Sequence, residues 1–261
     1  MRYFRLFGTY FRVGVLNELQ YRVNFFAQLF QSLLSLGTGL IGLALVFSYT
    51  DSLGGWGRAE LLAVMGVHIL MGGLINTIIQ PNMERLIDDI HNGTLDFVLT
   101  KPEDSQVMVS VRETRIWQTV DVAMGLGVLG YAALQLRETI GMAEAAGFVA
   151  ALLFGGVMVY CFWLMLTTGA FWIVRADNIL EIFQSMYAAG RWPIGTYPDW
   201  LRTGLTFLVP IAFAVTVPAE AVIGRLTPQT LSGAAVFAVA LLILSRQVWK
   251  WGLRHYTGAS A

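Results

Sequence analysis

The chain has 261 residues, of which 56% are hydrophobic and 13% charged, where soluble domains carry about 25% charged residues. Seventeen Lys+Arg balance seventeen Asp+Glu, so no surplus of charge points to nucleic acid or to an acidic partner. A single cysteine, Cys161, excludes an internal disulfide and a cysteine-based metal cluster. Set in an apolar run, it reads as a small buried hydrophobe.

Residues 1–24 predict an interfacial helix. At about 100° per residue, Arg2, Arg5, Thr9 and Arg12 share one face and Phe4, Phe7, Phe11 and Val15 the opposite one, the pattern of a helix lying in the headgroup plane. The first long apolar run starts near Phe25, too late and too long for the core of a cleavable leader.

A helix needs about 20 apolar residues to cross the hydrocarbon core. Stretches 25–48, 60–80, 116–136, 146–173 and 231–250 meet that need. Two further segments compete for a sixth crossing. Stretch 201–219 is apolar but interrupted by Pro210 and Pro218, and 177–192 is helical in pattern but carries Asp177, Glu181 and Gln184. The expectation is an all-α integral membrane protein of six transmembrane helices in a single domain, 1–261. Basic residues concentrate in the N-terminal segment, in loop 81–115 and at the C-terminal end, which puts both termini and that loop on the cytoplasmic side.

Loop 81–115 is the most structured segment outside the spans. Pro81 suits the first turn of a helix. Met83, Leu86, Ile87 and Ile90 repeat at helical spacing, opposite Glu84, Arg85, Asp88 and Asp89. Asn92-Gly93 reads as a helix stop. An extended piece, Leu95 to Leu99, is expected to run to Lys101-Pro102, after which Asp104 or Ser105 can cap a second helix.

No active site emerges. The two lysines, Lys101 and Lys250, do not follow a glycine, so a phosphate-cradling G-x-x-x-x-G-K-[ST] loop is absent. There is no H-E-x-x-H and no G-x-S-x-G, and His68, His91 and His255 lie in separate regions. Polar groups at membrane depth are costly and therefore candidates for function. The candidates for a substrate path are Gln28, Gln31, His68, Asn76, Glu181 and Gln184. Ser32, Thr77, Gln80 and Ser185 accompany them, and helix–helix hydrogen bonding is the plainer role for any of these. Asp121 reads as interfacial, and Gly37, Gly39 and Gly42 as helix-packing positions.

Arg22 before the first span, the string Asn92-Gly93-Thr94-Leu95-Asp96-Phe97-Val98-Leu99-Thr100-Lys101-Pro102, Arg191-Trp192-Pro193, Tyr197-Pro198-Asp199-Trp200-Leu201, Val209-Pro210, Val217-Pro218-Ala219-Glu220-Ala221 and the ending Gly252 to Ser260 carry a resemblance. In their order and spacing they resemble the permease subunits of type 2 ABC exporters, in particular small six-span bacterial permeases. The resemblance covers nearly the whole chain. It implies a permease without its own ATP site, paired with a second identical or related permease in the bacterial inner membrane and clamped on ABC ATPase subunits that bind ATP and Mg. It implies a substrate path between the permeases for a small molecule or lipid. It also implies a coupling loop in which Glu84, Arg85, Asp88, Asp89, Gly93, Leu95, Asp96, Phe97 and Leu99 meet the ATPase. For the fifth crossing, loop charges favour 201–219. The resemblance favours 177–195, with 198–222 as a re-entrant pair of short helices on the outer face. A membrane-embedded lipid-modifying enzyme and a secondary transporter are the rival classes. The first lacks convergent catalytic groups, and the second usually shows inverted repeats that are not seen here.

Overall fold

Backbone N–H and C=O groups at membrane depth must be satisfied within the chain, so long apolar runs become helices. A computed structural model describes residues 8–10, 12–16, 22–136, 141–172 and 177–256. In chain order the helices are α1 (Arg22–Tyr49), α2 (Arg58–Leu74), α3 (Gln80–His91), α4 (Asp96–Leu99), α5 (Ser105–Ser110), α6 (Thr119–Leu136), α7 (Met142–Thr168), α8 (Asp177–Ala188), α9 (Asp199–Thr203), α10 (Val217–Val222) and α11 (Pro228–His255). Among the described residues, extended pairing is confined to one bridge, Leu53 with Trp56, in the turn between α1 and α2.

Five helical rods are long and apolar enough to cross a membrane: Val23–Tyr49, Arg58–His91, Ile116–Leu136, Met142–Phe171 and Pro228–His255. A sixth element is the bent pair Asp199–Leu208 and Ala212–Val222, whose axis bends by 77° around Val209-Pro210. The chain is an all-α integral membrane protein.

The N-terminal stretch is helical at 8–10 and 12–16, with Thr9 and Arg12 exposed and Tyr10 packed against the core. Arg2, Arg5, Phe4, Phe7 and Phe11 lie outside the described residues.

The second rod corrects one expectation. Pro81 does stand in the first turn of a helix, α3, but that helix is not separate, because α2 continues into it through a π-helical turn at Ile75–Ile79. Proline has no N–H to offer the carbonyl four residues back. That carbonyl, on Thr77, instead accepts the Arg115 N–H at 3.0 Å. Next to Pro81, the fully buried Asn82 side chain grips the same segment, 112–115. Its oxygen accepts from Arg112 N (2.7 Å) and Glu113 N (2.9 Å), and its nitrogen donates to Glu113 O (2.8 Å) and Ile78 O (2.7 Å).

α2 and α6 pack backbone against backbone. A Cβ added at Gly125 would lie 2.5 Å from Leu70 N, and one at Gly73 would lie 2.7 Å from Val122 N. The expected packing glycines of the first span are looser. Gly37 and Gly42 have nothing within 4 Å, and Gly39 approaches Met65 alone. Small residues set a crossing distance only where another backbone arrives, and α1 lies against its neighbours more openly than α2 does.

The segment 189–225 returns twice to the same levels of α2. Gly190 sits against His68 and Ile211, while Thr196 reaches Gly54 in the turn before α2. Ile211 and Val215 lie back beside Gly190, and Ile194 N donates to Thr216 Oγ1 at 3.3 Å. Arg225 then returns to that turn. It pairs with Glu60 (2.6 Å), donates to Gly55 O (3.3 Å) and lies over the Trp56 ring.

A polar cavity joined to a charged platform

A cavity of about 510 Å³ opens between α1, α2, α6 and the C-terminal half of the 177–191 segment. Of the six polar path candidates, Gln28, Gln31, His68, Asn76 and Gln184 line it. Glu181 does not: it is exposed and turned away from this wall. Gln28 and Gln31 sit one turn apart on α1, and His68 of α2 and Asn76 of the π-helical turn about two turns apart on the second rod, so each pair shares a face.

Sequence reasoning missed several wall residues. Asp121, expected at the interface, lies in the cavity wall, where Gln28 donates to it at 3.1 Å and Ser32 hydrogen-bonds its other oxygen. Gln118 donates to Gln28 at 3.0 Å, which closes a polar chain across α1 and the start of α6. A lone carboxylate in an apolar run was the available signal, and its position near a span end masked it. Tyr187, Arg191, Trp192 and Arg115 complete the polar and aromatic wall. Tyr187 stacks on His68 with centroids 4.5 Å apart and donates its hydroxyl to His68 O at 2.7 Å. Its neighbour on the other side is Phe183. Partnering of a Tyr and a His 119 residues apart leaves no trace in local pattern.

α3 to α5 build a platform at the far end of the second rod. The apolar face of α3 is buried through Met83, Leu86 and Ile87, as its periodicity predicts. Gly93 ends it at φ 66°, a left-handed conformation that glycine adopts without strain. The next piece corrects the expectation of an extended strand. Leu95 precedes one helical turn, α4, because Leu95 and Val98 both point into the core three residues apart. Leu95 is fully buried and Leu99 is half-buried, whereas Phe97 is 73% exposed.

The acidic residues divide the same way. Asp89 is buried and paired with Arg112 (2.6 Å), with Arg85 (3.4 Å) and with the Thr94 hydroxyl (2.8 Å). Glu84 pairs with Arg115 and accepts from Gln80 at 2.8 Å. Asp88 is exposed, Asp96 half-buried, and Arg85 exposed beside them. Two of the four carboxylates expected to meet a partner are thus already neutralised within the chain.

Asp104 caps α5, accepting from Gln106 N (3.0 Å) and Val107 N (3.3 Å). Arg246 of α11 forks onto the same carboxylate, 2.8 Å to Oδ1, and holds its pKa below the ordinary 3.8. Trp249 Nε1 donates to Ser105 Oγ at 3.2 Å. The platform is therefore tied to both the second and the last rod.

A family model described as "ABC-2 family transporter protein" matches residues 33–260. No curated protein and no solved structure matches the chain.

Proposed function

Because the chain belongs to the ABC-2 transporter family, and so is the multi-pass permease component of an ABC transporter, we propose that it works as an exporter permease driven by a separate ATPase. The observation that carries this reading is the rod Arg58–His91, which lines the polar cavity with His68 and Asn76 and carries the platform at its other end. One continuous helix thus joins a candidate substrate path to a candidate docking surface.

In this reading the platform faces the cytoplasm of a bacterial inner membrane, as do both termini. Phe97 is the apolar anchor that enters a groove on the ATPase, and Arg85, Asp88 and Asp96 are the platform charges left to meet it. Leu95, Glu84 and Asp89 hold the platform's shape instead of touching the partner, which follows from their burial and internal pairing. ATP and Mg belong to the ATPase. A second identical or related permease covers the open side of α1, whose Phe26, Phe30, Leu33 and Ile41 are exposed. Segment 177–195 is the fifth crossing, and the bent pair is a re-entrant lid on the outer side. The order of depths along α2 supports that assignment: His68 level at Gly190, the outer turn at Thr196, His68 level again at Ile211, and the outer turn at Arg225.

The test is co-expression with the partner ATPase and reconstitution into proteoliposomes. The wild-type complex should couple ATP hydrolysis to movement of solute. Phe97→Ala should weaken ATPase association by about 2 kcal/mol, or about 30-fold, as for loss of an interface anchor. Intact ATPase co-purification and transport in Phe97→Ala would overturn the docking assignment.

A further inference from the structure

A second cavity, of about 260 Å³, lies on the platform side of the first. Its walls include Gly14 of the N-terminal helical stretch, Pro81 and Glu84 of α3, and Glu113 and Thr114 of the segment entering α6. Arg115 belongs to the walls of both cavities. Gln80, in the wall of the larger one, donates to Glu84 in the wall of the smaller one at 2.8 Å. The Arg115–Glu84 ion pair, with Gln80 hydrogen-bonded to the carboxylate, thus lies where the two linings meet.

The frame around this pair is fixed, while the pair itself is not. Arg115 N is bonded to the Thr77 carbonyl that Pro81 leaves free, and Asn82 grips residues 112 and 113 with three hydrogen bonds. The side chains are different: that of Arg115 is 43% exposed and that of Glu84 25%. An ion pair this exposed is weak and screened by salt, so it separates and re-forms readily while the backbone stays in place. Charged side chains dominate the smaller cavity, with Arg85, Asp88 and Glu113 beside the pair. An acyl chain passing there would strip water from those charges without replacing it.

We infer that Arg115 and Glu84 form a side-chain gate between a hydrophilic vestibule and the main cavity, through which a small water-borne polar solute enters, as opposed to a lipid arriving from the bilayer. The inference rests on the reading of the main cavity as the substrate path and of the platform side as cytoplasmic.

The test uses a reporter cysteine in the main cavity, Asn76→Cys in a Cys161→Ala background, in inside-out membrane vesicles. Two small impermeant methanethiosulfonates of opposite charge are added from the platform side. Thr100→Cys, on the exposed end of the platform, reports folding and reagent strength. Glu84→Gln and Arg115→Gln should each speed labelling at position 76 about three- to fivefold for both reagents, the size expected from removing a half-exposed ion pair. The exchanged pair, Glu84→Arg with Arg115→Glu, should restore the slow rate. If the variants fail to fold, the native pair still gives an answer. Raising ionic strength from about 0.05 to about 0.5 M should speed labelling at 76 and not at 100, since screening shortens from well over 10 Å to a few ångströms. Labelling at 76 that ignores both substitution and salt would overturn the gate. So would rapid labelling by a lipid-dissolved maleimide in every variant while both impermeant reagents stay slow, because entry would then be from the bilayer. The labelling needs neither ATPase nor substrate. A gate that responds as stated in a protein whose cavity residues prove dispensable for transport would leave the gate standing and remove the path assignment.

Discussion

Asn82 spends all four of its side-chain hydrogen-bonding positions on backbone, two accepted and two donated, and it is fully buried. Asn82→Ala would leave Arg112 N–H and the carbonyls of Glu113 and Ile78 without those partners. A cost of about 2 kcal/mol or more follows from stranding buried polar groups. Asn82→Asp keeps the acceptors but sets a carboxylate against two carbonyls, so it should be no milder. Both should lower the melting temperature of the purified chain in detergent, and an unchanged melting temperature would refute the role. Asp104 gives a pH signature. Its hydrogen bonds to Arg246 keep its pKa in the folded protein below 3.8, so near that pH the folded state binds fewer protons than the unfolded one. The stabilisation is therefore complete above about pH 4 and is lost as pH falls through the lowered value. Asp104→Asn retains a capping side chain but loses the ion pair, so it should be less stable than wild type at pH 7, by about 1 kcal/mol at most for a pair this exposed. The gap should close as the buffer is taken well below pH 4, and a gap independent of pH would rule out the ion pair as its source. The cap was legible because Asp104 precedes a helical pattern. Its partner Arg246 was not, since 142 residues separate them and no local rule links the two.

At the scale of elements, the α2–α6 crossing depends on glycines that let backbones touch. Gly125→Val would drive two extra methyl groups into Leu70, whose backbone N is already 2.5 Å from where a Cβ would sit. The outcome expected is failure to accumulate in the membrane, whereas Gly127→Val, with nothing within 4 Å, should accumulate normally. Equal yields from the two would mean the crossing is looser than the structure has it. The bent pair gives a topological prediction. With single cysteines in a Cys161→Ala background, positions Asp199 and Thr203 should react with an impermeant reagent added outside. Reaction of Asp199 from the cytoplasmic side alone would make 201–219 the crossing. The five long rods were readable from hydropathy because lipid imposes one demand on a whole segment. Shorter elements obeyed local rivals. Leu95 to Leu99 carries alternating apolar residues and reads as a strand, but burial of Leu95 and Val98 together selects a helical turn. Pro81 reads as a helix start and does stand in the first turn of α3, but the π-helical turn before it joins α3 to α2, and the Arg115 N–H takes the carbonyl that proline cannot serve.

For the whole molecule, the polar residues that line the cavity were individually conspicuous in the sequence, yet their meeting was not. Gln28, His68, Asn76 and Gln184 stand out by cost at membrane depth. Asp121 joins them because helix packing brings the start of α6 against α1, and Glu181 leaves them because α8 presents Phe183 and Tyr187 to the interior instead. Native mass spectrometry of the chain co-expressed with its ATPase should find two permeases and two ATPases. A stable lone monomer with no ATPase bound would count against the proposed assembly. Finally, the rod Arg58–His91 has 34 residues, so it is about 51 Å long, against a hydrocarbon core of about 30 Å. Some 20 Å of it must stand clear of the bilayer or be taken up by tilt. A change of tilt of only about 10°, within the ordinary spread for membrane helices, would carry one end about 9 Å sideways relative to the other. Membrane thickness thereby becomes a variable the protein feels. A thinner or thicker bilayer would shift the resting angle of this lever, and the activity of the reconstituted transporter should pass through an optimum as acyl-chain length is varied.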